Sequence, residues 1–411
     1  MSKRPLAIAV AALLGAASCT GGAPDSSPTG GGDDGTTTGS DPGTGSDTGS
    51  GSAGSGSGSD TGMGSGSPDI WQTQLNARTY NYPAALRTAA LRLTGDLPTV
   101  AQIEQLANAA DPKAVYGQLI NAMLTDPRFT RQMLGFWRDT FKMGGAADLD
   151  TAPAFAAQLT VNNGSSDQLF LATTGTCPTV ANDVITSASC TNNPPATAGV
   201  LTNPGAMKQF AGNLAFRRVR WVQEVFDCTA FPAEVGTPKP VGANNAPYTA
   251  PWDFASIAGT DNGGRVNFHD TSAVVCANCH ATMNHLAPLF ANFDANGLYT
   301  TAIAVTLPTD GRPLATRADW LPAGETTAWR YNKPATTLTQ LGQAMAADPQ
   351  VGTCTVARVW NFALGKGDIV QTLSIVPADV IQTQLAAFDA SGHKLRDLFY
   401  TVFTSDDFTK Y

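Results

Sequence analysis

This 411-residue sequence lacks any stretch near the ~18 consecutive apolar residues that a transmembrane helix needs. A run from Leu6 to Ala17 behind Lys3 and Arg4 is too short to span a bilayer and has the build of a secretion signal that is cleaved. Charge is sparse at 14 % of residues, and acids outnumber bases 33 to 25. No basic patch stands out, which argues against nucleic acid as a partner. A phosphate loop, a dinucleotide fingerprint and a His-Glu-x-x-His zinc motif are also missing. Histidine is scarce too, with four in the chain, so few side chains could bind an iron or serve as a general base.

The residues at the end of the signal and just beyond it point to an anchored protein. Ala16-Ala17-Ser18-Cys19 resembles the lipobox of bacterial lipoproteins, in which the cysteine is acylated and becomes the mature N-terminus, although Ala16 stands where Leu is commonest. Residues 20–68 are almost wholly Gly, Ser, Thr, Asp and Pro, a composition that cannot bury enough apolar surface to offset the entropy of ordering. Its mean reach is roughly 40 Å for a flexible chain of this length. A lipid on Cys19 and a globule beyond make this segment a tether, so the expected partner is a membrane, and the expected location is the cell envelope, on the outer membrane or a periplasmic face rather than the cytoplasm. Residues 69–411 then carry 23 basic against 27 acidic groups.

Seven cysteines are present. If Cys19 carries lipid, six remain in an oxidising compartment where disulfides persist. Cys276 and Cys279 belong to a Cys-x-x-Cys-His motif, which leaves Cys177, Cys190, Cys228 and Cys354 as disulfide candidates with three possible pairings. Cys177 and Cys190 bracket a polar loop, which makes a local bridge the natural expectation, with Cys228 and Cys354 then joined across the fold.

The folding part reads as mainly α: helical bundle-like modules joined by long irregular Pro- and Gly-rich loops. After the signal (1–18) and tether (19–68), a helical module is expected over 69–143. Thr99 with Gln102 forms a capping-box pattern, and Asp111-Pro112 and Asp126-Pro127 each look like an N-cap followed by proline at the first helical position. Phe129, Met133, Leu134, Trp137 and Phe141 make a helical apolar stripe that reads as core. Residues 144–205 have weak periodicity and read as a loop-rich excursion pinned by a disulfide. A domain carrying the cysteine–histidine motif is expected over 206–335, helical again across Met207–Phe226 and with a few short β-like runs in 301–329. A last helical domain covers 336–411.

The chemistry-bearing feature is Cys276-Ala277-Asn278-Cys279-His280. Cys-x-x-Cys-His is the attachment pattern of c-type haem: two thiols one helical turn apart add to the porphyrin vinyl groups, and the adjacent His becomes the proximal ligand. The expected cofactor is covalent haem c, held by Cys276 and Cys279 with His280 on the iron. The other reading makes Cys276–Cys279 a disulfide or half of a metal site. A sixth ligand is less obvious. Met345 and His285 are the candidates, with His269 and His393 completing the list; Met283 and His285 lie too near His280 to reach the opposite face without an unusual turn, and five-coordinate iron is an alternative. Asn292-Phe293-Asp294-Ala295-Asn296-Gly297 imitates the start of a calcium loop, but its twelfth position is Ile303 in place of Glu, so calcium is not expected.

Several segments together resemble a family of cytochrome-like multi-domain envelope proteins of planctomycetes and myxobacteria. The resemblance lies in Cys276-x-x-Cys279-His280 with Pro288-Leu289 and Asn292-Phe293-Asp294-x-x-Gly297, and upstream in Asn203-Pro204-Gly205 and Arg217-Arg-Val-Arg-Trp221. It extends to Cys354-x-x-x-Arg358, Gly365 and Ser405-Asp-Asp-Phe408, and to Arg92-Leu-Thr-Gly95 near the start. It covers most of 83–408 and departs over 144–198. It implies a mainly helical envelope protein with covalent haem, proposed for electron transfer, and no substrate. Three functions stay open: an electron carrier working with a redox partner protein, a binding or structural lipoprotein without haem, and a haem oxidoreductase with an open coordination site. The sequence favours a carrier or binding protein over an enzyme.

Overall fold

The computed structural model describes residues 70–229, 274–307, 313–330, 333–367 and 376–411. The signal, Cys19, the tether and His269 lie outside the described residues. The fold is mainly α, as composition and capping signals imply. In chain order the first helices are α1 (Ile70–Ala77), α2 (Tyr82–Leu93), α3 (Val100–Ala107), α4 (Pro112–Leu124), α5 (Pro127–Phe141), α6 (Thr151–Val161), α7 (Gln168–Leu171), α8 (Pro204–Gln209), α9 (Phe216–Phe226) and α10 (Val274–Phe290). Then come α11 (Arg317–Trp320), α12 (Leu338–Ala346), α13 (Pro349–Ala363), α14 (Gln382–Ala390), α15 (Leu395–Phe403) and α16 (Asp406–Thr409). Among the described residues the sheet content is two small antiparallel ribbons, β1 (Thr179–Ala181) with β2 (Val184–Thr186), and β3 (Ala328–Trp329) with β4 (Lys333–Pro334).

The helices begin where the local chemistry says they should. Asp111 accepts from the Ala114 amide at 3.0 Å, and Asp126 from the Arg128 amide at 2.8 Å, each ahead of a proline that needs no amide partner. Thr99 and Gln102 exchange both bonds of a capping box, at 3.2 and 2.9 Å. The stripe on α5 is buried throughout, with Phe129, Met133 and Phe141 fully inside.

The N-terminal and C-terminal helices share one core. Phe136 meets Phe362 edge-on at 5.1 Å, Phe129 meets Phe399 at 5.8 Å, and the Tyr116 hydroxyl donates to the Phe403 carbonyl at 2.8 Å. The last residue closes the loop, since Tyr411 and Thr79 exchange two backbone hydrogen bonds at 3.0 Å. Edge-to-face ring contacts of this kind add to the area they bury.

One expectation needs correction and a second is sharpened. Residues 144–205 are not a loop-rich excursion throughout, because α6 lies in their midst and is packed on α5. Ala152, Ala154, Phe155, Ala156, Ala157 and Thr160 are all buried, and the Trp137 indole donates to the Thr160 hydroxyl at 2.9 Å. A helix buried on every side has no polar face, so the helical period vanishes from the sequence. The helical character expected over Met207–Phe226 is present and is divided between two helices. The chain turns through Gly212, Leu214 and Ala215, all at positive φ, between α8 and α9.

Both disulfides that spacing favours are present. Cys177 bridges Cys190 with Cα atoms 5.0 Å apart, and Cys228 bridges Cys354 at 5.5 Å. The second ties the end of α9 to α13.

Candidate haem-attachment helix

The residues of the cysteine–histidine motif fall within one helix, α10. At 3.6 residues per turn, positions 276, 279 and 280 share a face, which is the placement the two-thiol, one-imidazole chemistry needs. The thiols of Cys276 and Cys279 lie outside what the structure describes, while their backbone lies within it. His280 is described. Its ring is largely buried and packs edge-on against Phe216 of α9 at 4.8 Å. The His280 Nδ1 lies 3.2 Å from the Asn284 side-chain oxygen, one turn further along the same helix.

That hydrogen bond fixes the tautomer. An amide oxygen only accepts, so Nδ1 carries the proton and Nε2 carries the lone pair. Burial pushes the imidazole down to about 4, against a smaller opposing contribution from Asn284, so the ring is neutral at pH 7. A neutral imidazole with Nδ1–H anchored and Nε2 as the lone-pair nitrogen is the form that ligates iron, and anchoring of this kind orients metal-bound histidines. The described residues therefore fit the proximal half of a c-type haem site.

They do not supply an obvious distal half. His285 is on the same continuous helix, about 140° round and one and a half turns on from His280, so it cannot face the iron from the opposite side. It is buried and its Nε2 lies 3.2 Å from the Glu325 carboxylate. The unusual turn that would let His285 serve as a sixth ligand does not occur, because the helix runs unbroken between the two histidines. Met345 lies fully buried on α12, inside the core. His393 sits in the turn before α15 and bridges Asp167 at 2.8 Å and Asp389 at 3.4 Å.

The C-terminal end of α10 is clamped by a residue that spacing could not reveal. Arg218 of α9 is fully buried, and its guanidinium makes five hydrogen bonds to main-chain carbonyls. Nε and Nη2 reach the Met207 oxygen at 3.0 and 2.7 Å. Nη1 reaches Phe290 and Phe293 at 2.9 and 2.8 Å, and Nη2 also reaches Asp294 at 2.7 Å. The turn that mimics a calcium loop is thus already organised around a guanidinium. The Asp294 carboxylate accepts from the Asn296 and Leu298 amides at 2.8 and 2.9 Å, as a turn-former does. No group of three or more His, Cys, Asp or Glu poised for a metal ion occurs among the described residues.

Gly297 completes that turn at φ +77°, and a Cβ there would lie 2.2 Å from the Pro204 carbonyl oxygen of α8. Backbone cannot yield as a side-chain tip can. Gly297→Ala is expected to cost about 2–4 kcal/mol, from the left-handed strain plus the overlap. Urea unfolding checks this, and an unchanged midpoint would show that α8 and this turn are free to separate.

Arg218 and Asn284 are the residues around this helix that the cysteine–histidine motif does not mark. Asn284 leaves a faint signal, four residues after His280 and so on the same helix face. No family description, curated protein or solved structure matches this chain.

Proposed function

We propose that the protein is a lipid-tethered cell-envelope electron carrier with a single c-type haem bound through Cys276 and Cys279 and axially ligated by His280. The observation that carries this reading is the His280–Asn284 pair on the helix that holds both cysteines, because it orients a neutral imidazole as a ligand. A haem bound there would supply one-electron redox chemistry. The chain's own contribution is positional: α10 sets the spacing of the three attachment residues, Asn284 holds the ring, and Phe216 packs its flank away from water. The lipobox-like Cys19 and the tether would hold the domain near a membrane within reach of a redox partner protein. The resemblance to the cytochrome-like envelope proteins points the same way.

The test is expression in a host competent for c-type haem maturation, followed by haem staining of a denaturing gel and the mass of the mature protein. Covalent haem is expected in the parent and none in Cys276→Ser/Cys279→Ser. A parent without haem, and lighter by two hydrogens in this pair, would establish the disulfide reading. A second reading, a haem oxidoreductase with an open position, draws support from the placement of His285 and Met345. Carbon monoxide distinguishes the two: a six-coordinate carrier resists it, and an open iron shifts its spectrum.

A further inference from the structure

A cleft of about 940 Å³ opens between the C-terminal ends of α2, α5 and α13, and five cations line it: Arg92, Arg138, Lys142, Arg358 and Lys366. One carboxylate, Asp139, shares that wall. Arg138 is paired with Asp150 at 2.5 Å. Arg358 is buried and donates to the Val225 and Glu224 carbonyls at 3.1 and 2.7 Å, which caps the end of α9. Arg92 and Lys366 are different. Among the described residues neither pairs with a carboxylate, and the Arg92 guanidinium lies over the Phe362 ring at 5.6 Å.

Cations near helix ends have an ordinary explanation, since each end carries about half a negative charge. The ends of α2, α5 and α13 and the α9 end that Arg358 caps, together with Asp139 and Asp150, offset about four of the five positive charges and leave the wall net positive. The imbalance is notable in a chain whose acids outnumber its bases by 33 to 25. Phe136, Phe362 and Met143 give the same wall an apolar component. A concave site with convergent guanidinium and ammonium groups beside aromatic rings is built for a charged, partly apolar ligand.

We infer that this cleft binds a small oxyanion carrying at least two negative charges, as phosphoryl or carboxylate groups, with Arg92 and Lys366 as its principal contacts. The haem motif plays no part in this inference, and the binding is independent of haem content.

The test is calorimetric titration of the full-length mature chain with pyrophosphate and, separately, citrate, at ionic strength matched with sodium chloride. Saturable one-to-one binding of at least one anion is expected, weakened about tenfold or more in Arg92→Gln/Lys366→Gln. Arg87→Gln/Arg131→Gln, outside the cleft, should bind as the parent does. Binding of pyrophosphate alone identifies a phosphoryl ligand, and of citrate alone a polycarboxylate. If the double variant does not fold, Lys366→Gln by itself, at an exposed position, reads the same effect. The inference is overturned if neither anion binds at matched ionic strength, or if the cleft variants bind as tightly as the parent.

Discussion

Arg218→Met is expected to destabilise the fold by about 3–5 kcal/mol, a large share of the stability of an ordinary domain. The side chain is replaced by one of similar reach, so lost volume is a small part of the effect. What is lost is a donor to four carbonyls: those of Phe290 and Asp294 still accept from the Phe293 and Gly297 amides at 3.3 and 3.2 Å, while those of Met207 and Phe293 are served by the guanidinium. Each unsatisfied buried acceptor costs about 1–3 kcal/mol. Burying the guanidinium is itself unfavourable, and desolvation pushes its pKa down to about 10 against a weaker opposing effect from Asp294. That cost is removed in the variant, which is why the expected loss falls short of the worth of the five hydrogen bonds taken together. Arg218→Lys keeps a charge but loses the planar fork, so it should recover less than half of the lost stability. Urea unfolding of the three proteins measures both. A methionine variant with the parent's midpoint would mean that α10 is held by its apolar contacts alone.

The same clamp shows where sequence reading succeeds and where it stops. Capping at Thr99, Asp111 and Asp126 depends on neighbours within three residues, so the pattern is visible in the string and the structure reproduces it. The α5 stripe survives because one face of that helix meets water. α6 has no such face, and its alanines and threonines imitate a loop. Arg218 is hidden for a different reason. Helical spacing puts Arg218 on the apolar face with Trp221, Val222 and Val225, but its acceptors come from residues 207, 290, 293 and 294, and no local pattern shows that they converge on it.

The candidate site divides in the same way. Cys276, Cys279 and His280 are legible because the chemistry proposed for them would need a fixed local spacing. The His280–Asn284 pair is one turn long and can be read from helical geometry once α10 is assumed. A distal ligand is a question of tertiary placement. His285 illustrates this, near in sequence yet barred by the continuity of the helix it shares with His280.

Removing the Cys228–Cys354 bridge, in Cys228→Ser/Cys354→Ser, is expected to cost about 4–5 kcal/mol, and removing Cys177–Cys190 about 2–3 kcal/mol. The pairs close loops with sequence separations of 126 and 13, and cross-linking the longer loop removes more entropy from the unfolded chain. The native surroundings of the longer bridge reinforce it without replacing it. Arg358 donates to the carbonyls at the end of α9, the Arg330 guanidinium pairs with the buried Asp227 carboxylate, and the Trp329 indole donates to Asp348 at 2.7 Å. These contacts are made only after α9 and α13 have met, whereas the covalent bond brings them together in advance. Urea midpoints of the two double variants decide the point, and equal losses would show that loop length is not what matters here. The consequence extends to α10. One end of α9 is bonded to α13, and Arg218 near its start holds the end of α10. Loosening the bridge therefore weakens the clamp behind His280. If haem is attached, the Cys228→Ser/Cys354→Ser protein should retain it through the thioethers while its axial imidazole exchanges more readily, seen as easier displacement by added imidazole. The Cys177→Ser/Cys190→Ser protein, whose bridge does not touch α9, should not show that change.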